Sequence, residues 1–567
     1  MLPHTMRSRS AADGQRRLVP GAGTVLAVGL CAVVAAPLLA LFSYVGQPSE
    51  GLWSHLVATV LPEYLRNSLL LCLGVGAGSL VIGAGCGWLV TMYRFPGDRV
   101  LDWALVLPLA MPGYVLAYAY TDFLQVTGPV QTLLRDVTGW SWRDYWFPNI
   151  RSLGGAIAVL TAAMYPYVYV LARAGFTEQS VCALEVSRTL GCTPFASFRR
   201  VGVPLAWPAI AAGLAFVMME TLADFGAVAY FELRTFTTGI YRAWYALGSP
   251  AAAAQLAVVL MLLVLGILLL ERAARGRGRF AATTSHLFRK QRIELRGWRR
   301  WAASLFCTLP ILFGFVLPAM VLGWMAIGAA DTIAPERLVR LAGNTALLGA
   351  LASLLIVTLA LVGLLAARRE PGTGGTLLRL AGMGYAVPGA VIGVGVLIAI
   401  GLFDRLADSV AHTLTGRGAG LVLGGTVGAL LYAYLVRFFL VGFSPLQAGM
   451  AKIAPALGDA ARSLGGDGLT VARKVYLPLL RPSLISAALL VLVDVMKELP
   501  ATLILRPFNF DTLAVEAFQL ATSERLDGAA APSLLIVVVG LVPVILLCRM
   551  LNRGRASADA MPVPISR

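Results

Sequence analysis

The chain has 567 residues, 58% of them hydrophobic and 13% charged, with a mean hydropathy of +0.77 and a formal net charge of +17. That apolarity excludes a soluble globular protein, which could not cover itself with polar surface, and sets an integral membrane protein instead. None of the four lysines (Lys290, Lys452, Lys474 and Lys497) follows a glycine, so the GxxxxGK[ST] phosphate loop is excluded; seven cysteines without a CxxC and four scattered histidines supply no disulfide framework or permanent metal site.

In chain order, Arg7, Arg9, Arg16 and Arg17 precede an apolar run at about 25–45. The run is too long for a signal-peptide core and reads as a retained helix behind a cytoplasmic tail, residues 1–20. Runs of spanning length follow at 67–91, 102–124, 153–173, 206–230 and 252–270. After a basic linker, 272–301, they resume at 302–327, 344–366, 377–402, 419–441, 481–504 and 531–550. Each is near the ~20 residues that cross a bilayer, so twelve transmembrane helices are predicted in an all-α integral membrane fold. Pro108 and Pro112 in the third run, and Pro388 in the ninth, predict kinks. Basic residues gather in alternate loops, which places both termini, including the tail 552–567, in the cytoplasm. The basic linker reads as an anchor on anionic headgroups, not as a nucleic-acid site.

One polar stretch occurs twice. EVSRTLGCTPFASFRRVGVP, Glu185 to Pro204, recurs as DAARSLGGDGLTVARKVYLP, Asp459 to Pro478, at a constant offset of 274 residues. Arg188 answers Arg462, Gly191 answers Gly465 and Pro204 answers Pro478. Asn67-Ser68 answers Asn344-Thr345, and Pro112-Gly113 answers Pro388-Gly389. The chain therefore divides into two six-helix repeats of the same orientation, 21–271 and 302–551, each with its polar segment (178–204 and 453–478) on the cytoplasmic side. Such a parallel duplication predicts a pathway at the interface of the halves. Each polar segment predicts a short helix, a glycine turn and a second helix entering the membrane behind a proline. Paired docking elements for a soluble partner are the simplest use of such segments.

The two segments resemble the EAA loop of ATP-binding-cassette importer permeases, EAA-x3-G-x9-I-x-L-P. The first matches at Glu185, Gly191, Val201 and Pro204, with Val186-Ser187 in place of Ala-Ala. The second matches at Ala460-Ala461, Gly465, Val475, Leu477 and Pro478, with Asp459 in place of Glu. The resemblance implies the type I importer permease fold and a coupling role for Glu185, Arg188, Gly191, Pro204, Asp459, Arg462, Gly465 and Pro478. It implies two copies of a cytoplasmic ATPase subunit, which hold the ATP and magnesium, a substrate-binding protein on the other face, and one permease chain per complex. No catalytic residue and no cofactor are expected in this chain itself. Segments 220–244 and 497–521, with the fused layout, resemble ferric-iron importer permeases of the inner membrane; fused permeases for thiamine and phosphonates are similar alternatives. An ATP-independent secondary transporter is the competing class, and it would have no use for matched docking segments.

Independently of any family, Glu220 and Asp224 lie sixteen and twenty residues beyond Pro204, and Asp494 and Glu498 lie the same distances beyond Pro478. The i,i+4 spacing predicts that each pair shares a helix face. Gly226 and Pro500 weaken the helix just beyond. Two readings stay open: the four carboxylates line a cation pathway, or they hydrogen-bond between helices to shape a gate, with Lys497 neutralising one of them. Tyr114, Tyr118 and Tyr120, and Tyr165, Tyr167 and Tyr169, read as interfacial belts, and Gly83 and Gly87 as a helix-packing face.

Overall fold

The computed structural model describes residues 22–47, 51–178, 187, 189–274, 292–328, 334–369 and 373–559. Eleven of its helices are long and apolar enough to cross a membrane, or twelve if one sharply bent pair is a single span. The spans of the first half are α1 (Ala22–Val45), α2 (Leu61–Met92), α3 (Gly113–Leu124), α4 (Leu153–Glu178) and α5 (Val203–Ala223). Two short helices follow, α6 (Gly226–Tyr230) and α7 (Phe236–Tyr245), and then α8 (Pro250–Ala274). The second half begins with the span α9 (Trp298–Gly328). It continues with α10 (Pro335–Arg369), α11 (Gly389–Thr415), α12 (Val427–Ala451), α13 (Pro455–Ser463), α14 (Leu477–Met496), α15 (Pro500–Leu505), α16 (Leu513–Thr522) and α17 (Leu526–Asp559).

Prolines decide where these helices deviate. The predicted run 102–124 is not one kinked span: a helical turn at Leu107–Ala110 ends before Pro112, and the chain bends by 93° into α3. The run 377–402 is broken likewise, because Pro388 separates the turn Gly382–Ala386 from α11. Proline lacks the N–H for the helical bond, and it forces the residue before it out of the helical region. Three wide π-type turns, at Phe198–Gly202, Leu312–Val316 and Ala472–Tyr476, each end two residues before a proline (Pro204, Pro318 and Pro478). Lengthening the ring by one residue lets the helix continue past a missing donor.

Glycines bring α2 against α4. A Cβ on Gly83 would lie 2.7 Å from Val168 Cβ and 2.8 Å from Tyr169 N, and one on Gly87 would lie 3.2 Å from Arg173 N. The small face is therefore a packing face, as expected.

The halves interlock. Tyr432 donates a 2.7 Å hydrogen bond to Val33 O, and a Cβ on Gly395 would sit 2.7 Å from Pro37 O, so α1 lies on second-half helices. Conversely, Tyr120 donates to Phe313 O at 2.5 Å and Ser304 to Pro96 O at 2.7 Å, which seats α9 on the first half. The closing helices cross over as well. Gly540 of α17 abuts Ala110 O, while buried α8 residues share a core with α11 and α12. One hydrophobic core combines α2–α5 with α9 and α17, and the other combines α11, α12 and α14 with α1 and α8.

Equivalent contacts recur at the repeat spacing. Asn67 donates to Arg234 O at 3.0 Å, and Asn344 to Asp511 O at 3.1 Å. Ser68 Oγ accepts from Phe236 N at 3.4 Å, and Thr345 Oγ1 from Leu513 N at 2.9 Å. In both halves the same two side chains on one span hold the start of the helix that precedes the last span.

Candidate functional site

Glu185 and Arg188 lie outside the described residues. Gly191 and Gly465 adopt φ of 80° and 85°, the left-handed region that favours glycine, with open space where a side chain would be. Behind each turn comes an equivalent cap: Thr193 Oγ1 accepts from Ala196 N at 3.2 Å, and Asp467 Oδ1 accepts from Thr470 N at 3.0 Å. These hydrogen bonds from Thr470 hold the exposed Asp467 carboxyl below its usual range. Pro204 and Pro478 then sit in the first turns of α5 and α14.

In the second segment α13 is exposed along much of its length, and Arg462 pairs with Asp459 at 2.9 Å on its surface. Its base is fastened from inside: Arg368 donates to Met450 O and Ile453 O at 3.1 and 2.9 Å and lies over the ring of Tyr476. Leu190 and Leu464, equivalent residues at the two turns, are 77% and 89% exposed. The same large apolar side chain is thus held out at the same place in both copies.

The acidic residues converge. Glu220, Asp224, Asp494 and Glu498 line one cavity of about 150 Å³, together with Lys497, Arg437, Tyr114, Tyr167 and Tyr385. They do not lie in pairs on continuous helix faces, however. α5 ends at Ala223, where Asp224 turns extended (ψ 131°), and α14 ends at Met496. Gly226 and Pro500 start new short helices, α6 and α15, at whose N-termini the second acid of each pair acts. Asp224 Oδ1 accepts from Ala227 N and Val228 N at 3.0 and 3.2 Å; Glu498 accepts from Ala501 N and Thr502 N at 3.0 and 2.9 Å. A carboxylate at a helix N-terminus satisfies orphan donors and the helix dipole at once.

Beyond the capping, the environments differ. Glu498 is paired with Arg437 at 3.2 Å, and its Oε2 also accepts from the Thr502 hydroxyl at 2.6 Å. Asp494 pairs with Lys497 at 3.1 Å, which is the neutralisation foreseen for that lysine. Glu220 shares the cavity lining with Tyr385 of the other half, Arg437, Asp494 and Lys497. The site thus sets four carboxylates against two cations.

Arg437 is the residue the sequence reading passed over. An arginine inside the apolar run 419–441 is itself a signal, since a charge at that depth needs a partner and a purpose. Its place depends on Gly389: a Cβ there would collide with the guanidinium and lie 2.8 Å from Glu498 Oε1. The tyrosines correct another expectation. Tyr114, Tyr118, Tyr165 and Tyr169 are at most 5% exposed, so they are interior residues and not belt residues.

Interlocked spans around a charged cavity describe a multi-pass membrane protein. Residues 79–274 match the family model described as the binding-protein-dependent transport system inner membrane component. The chain is 25% identical to the Fe(3+)-transport system permease protein FbpB 2 of Haemophilus influenzae, over 86% of this chain and 90% of that protein. It is 24% identical to the ferric transport system permease protein FbpB of Actinobacillus pleuropneumoniae, over 84% and 69%. Similarity to the sulfate transport system permease protein CysT of Salmonella typhimurium, 29% identical, covers 39% of this chain and 78% of that protein. The chain is thus similar, over residues 79–274, to inner-membrane components of binding-protein-dependent transport systems and, over most of its length, to ferric transport permease proteins.

Proposed function

We propose that this chain is the permease of a binding-protein-dependent ABC importer, a translocation subunit that works with an ATPase and a substrate-binding protein, and that it carries ferric iron across the inner membrane by alternating access. The observation that carries the reading is the cavity, where carboxylates from both halves outnumber cations four to two. Hard oxygen donors with a residual negative charge suit a hard cation, and the ferric names of the two long relatives agree with that charge. Glu220, Asp224, Asp494 and Glu498, with Lys497, are assigned to the pathway. Glu185, Arg188, Gly191, Pro204, Asp459, Arg462, Gly465 and Pro478 are assigned to coupling. One chain, as the two repeats 21–271 and 302–551, docks two ATPase copies through segments 178–204 and 453–478. The linker 272–301 and both termini, 1–20 and 552–567, face the cytoplasm. Closure of the ATPase dimer draws the docking segments together, and the halves rock about a pseudo-twofold axis along the membrane normal.

The test is labelled ferric-iron uptake by iron-starved cells with and without this chain, in the presence of excess thiamine or aminoethylphosphonate. Loss of uptake on deletion, insensitive to both competitors, is expected; unchanged uptake in a strain with no second iron importer sinks the cargo assignment. A second reading, an oxyanion cargo, is favoured by Arg437 and Lys497 in the same cavity and by the sulfate permease similarity. Competition of uptake by sulfate or molybdate would select it.

A further inference from the structure

Away from the docking segments, a column of tyrosines leads out of the cavity. Tyr114 lines the cavity; its ring lies 5.8 Å from that of Tyr118, and Tyr118 meets Tyr230 edge-on at 4.8 Å. All three are at most 5% exposed, and the hydroxyls of Tyr114 and Tyr118 have no hydrogen-bond partner among the described residues. Burying an unpaired hydroxyl is costly, and a packed core would have phenylalanine at these places. At the outer end the Tyr230 hydroxyl accepts from Arg151 Nη2 at 3.2 Å, and the guanidinium lies 5.0 Å from its ring centre. Arg151 also donates to both carboxylate oxygens of Glu524, at 2.9 and 3.2 Å. Arg151 precedes α4 in the first half, and Glu524 lies between α16 and α17 in the second. The bidentate pair therefore fastens one half to the other directly above the column.

We propose that the Tyr114–Tyr118–Tyr230 column is the entrance to the cavity from the face opposite the docking segments, and that the Arg151–Glu524 pair is the latch that holds it shut. The entrance is lined by phenol hydroxyls, which exchange hydrogen bonds with a hydrated cation once the halves part, and this accounts for their burial without partners here. The assignment rests on the reading of the cavity as the transport route. The latch is a single exposed pair, so it biases the closed state only modestly and yields to a docked binding protein.

Accessibility tests this without transport. In right-side-out membrane vesicles without ATP, the full chain carrying Tyr118→Cys is treated with a membrane-impermeant cationic methanethiosulfonate, and the labelling of the parent chain is subtracted. Labelling is expected to be slow with the latch intact and about fivefold faster in E524Q or R151Q, the scale of one exposed ion pair. The charge swap Arg151→Glu with Glu524→Arg should return it toward the slow rate. Equal labelling with and without the latch, or no labelling in either single variant, overturns the proposal. Tyr114→Cys serves as the reporter if Tyr118→Cys does not insert. Because the readout is independent of cargo, a failed ferric-uptake assay beside normal latch-dependent labelling would overturn the cargo and leave the entrance standing.

Discussion

The two halves share equivalent hydrogen bonds around the cavity and charge it differently. Each carries an acid in the last turn of its fifth span, caps the short helix that follows with the second acid and anchors the next helix through an Asn-Ser/Thr pair. In the second half, however, Arg437 and Lys497 face the cavity where the repeat spacing places Ala163 and Ala223 in the first. The second-half acids are thereby ion-paired, while Asp224 has backbone partners. Two cations make one wall of the cavity self-neutralised and leave the other wall as the net negative one. Under the proposed function, the difference singles out the first-half acids, which lack the ion pairs of Asp494 and Glu498, as the side to test for contact with cargo.

The comparison can be broken most forcefully at Arg437. Arg437→Met leaves Glu498 buried without its counter-charge, and a loss of about 3–5 kcal/mol is expected. Lys497→Met removes a more exposed pair worth about 1 kcal/mol. Thermal unfolding of the detergent-solubilised permease reads both, and equal losses would deny the distinction between the two cations.

Glycine at the proline breaks gives the next contrast. Gly389→Ala drives a methyl into the Arg437–Glu498 pair, whereas Gly113→Ala meets Leu160 at 2.8 Å and only approaches Asp224 at 3.5 Å. Overpacking costs about 1–3 kcal/mol, with Gly389 expected at the upper end and Gly113 at the lower. The same melting series ranks them.

For transport, Glu220→Gln is expected to lower uptake more than Asp494→Gln, because Asp494 is already held by Lys497. The ATPase rate should be kept in both. Similar uptake in the two variants would mean that the asymmetry of charge is structural only.

The docking turns should behave identically. Gly191→Ala and Gly465→Ala each force a side chain into positive φ at a cost of about 1 kcal/mol. Each should reduce transport-coupled ATP hydrolysis to the same extent. A loss confined to one turn would show that only one segment couples.

The smallest effect is one of pH, at the outer pair between the halves. The Arg151 guanidinium holds the Glu524 carboxyl below the usual range. A depressed carboxyl stabilises the fold above its unfolded value, about 4.3, and that contribution is lost as pH falls through the lower folded value. Melting temperature should therefore respond to E524Q at neutral pH and cease to respond in strong acid.

Hydropathy and the placement of proline and glycine determined much of this protein from the sequence alone. Lipid forbids unpaired backbone, so apolar runs of bilayer length have to be helices. The i,i+4 acids were legible for the same reason: charge is rare at that depth. The sequence could not show that helices end between those acids, since Gly226 and Pro500 weaken a helix without fixing where the chain turns. Nor could local pattern place Arg437, whose partner lies 61 residues away. Only the tertiary structure decided the exchange of α1, α8, α9 and α17 between the two cores. Each half presents apolar faces that either half could cover, and shape complementarity between distant helices, not periodicity, selects the pairing.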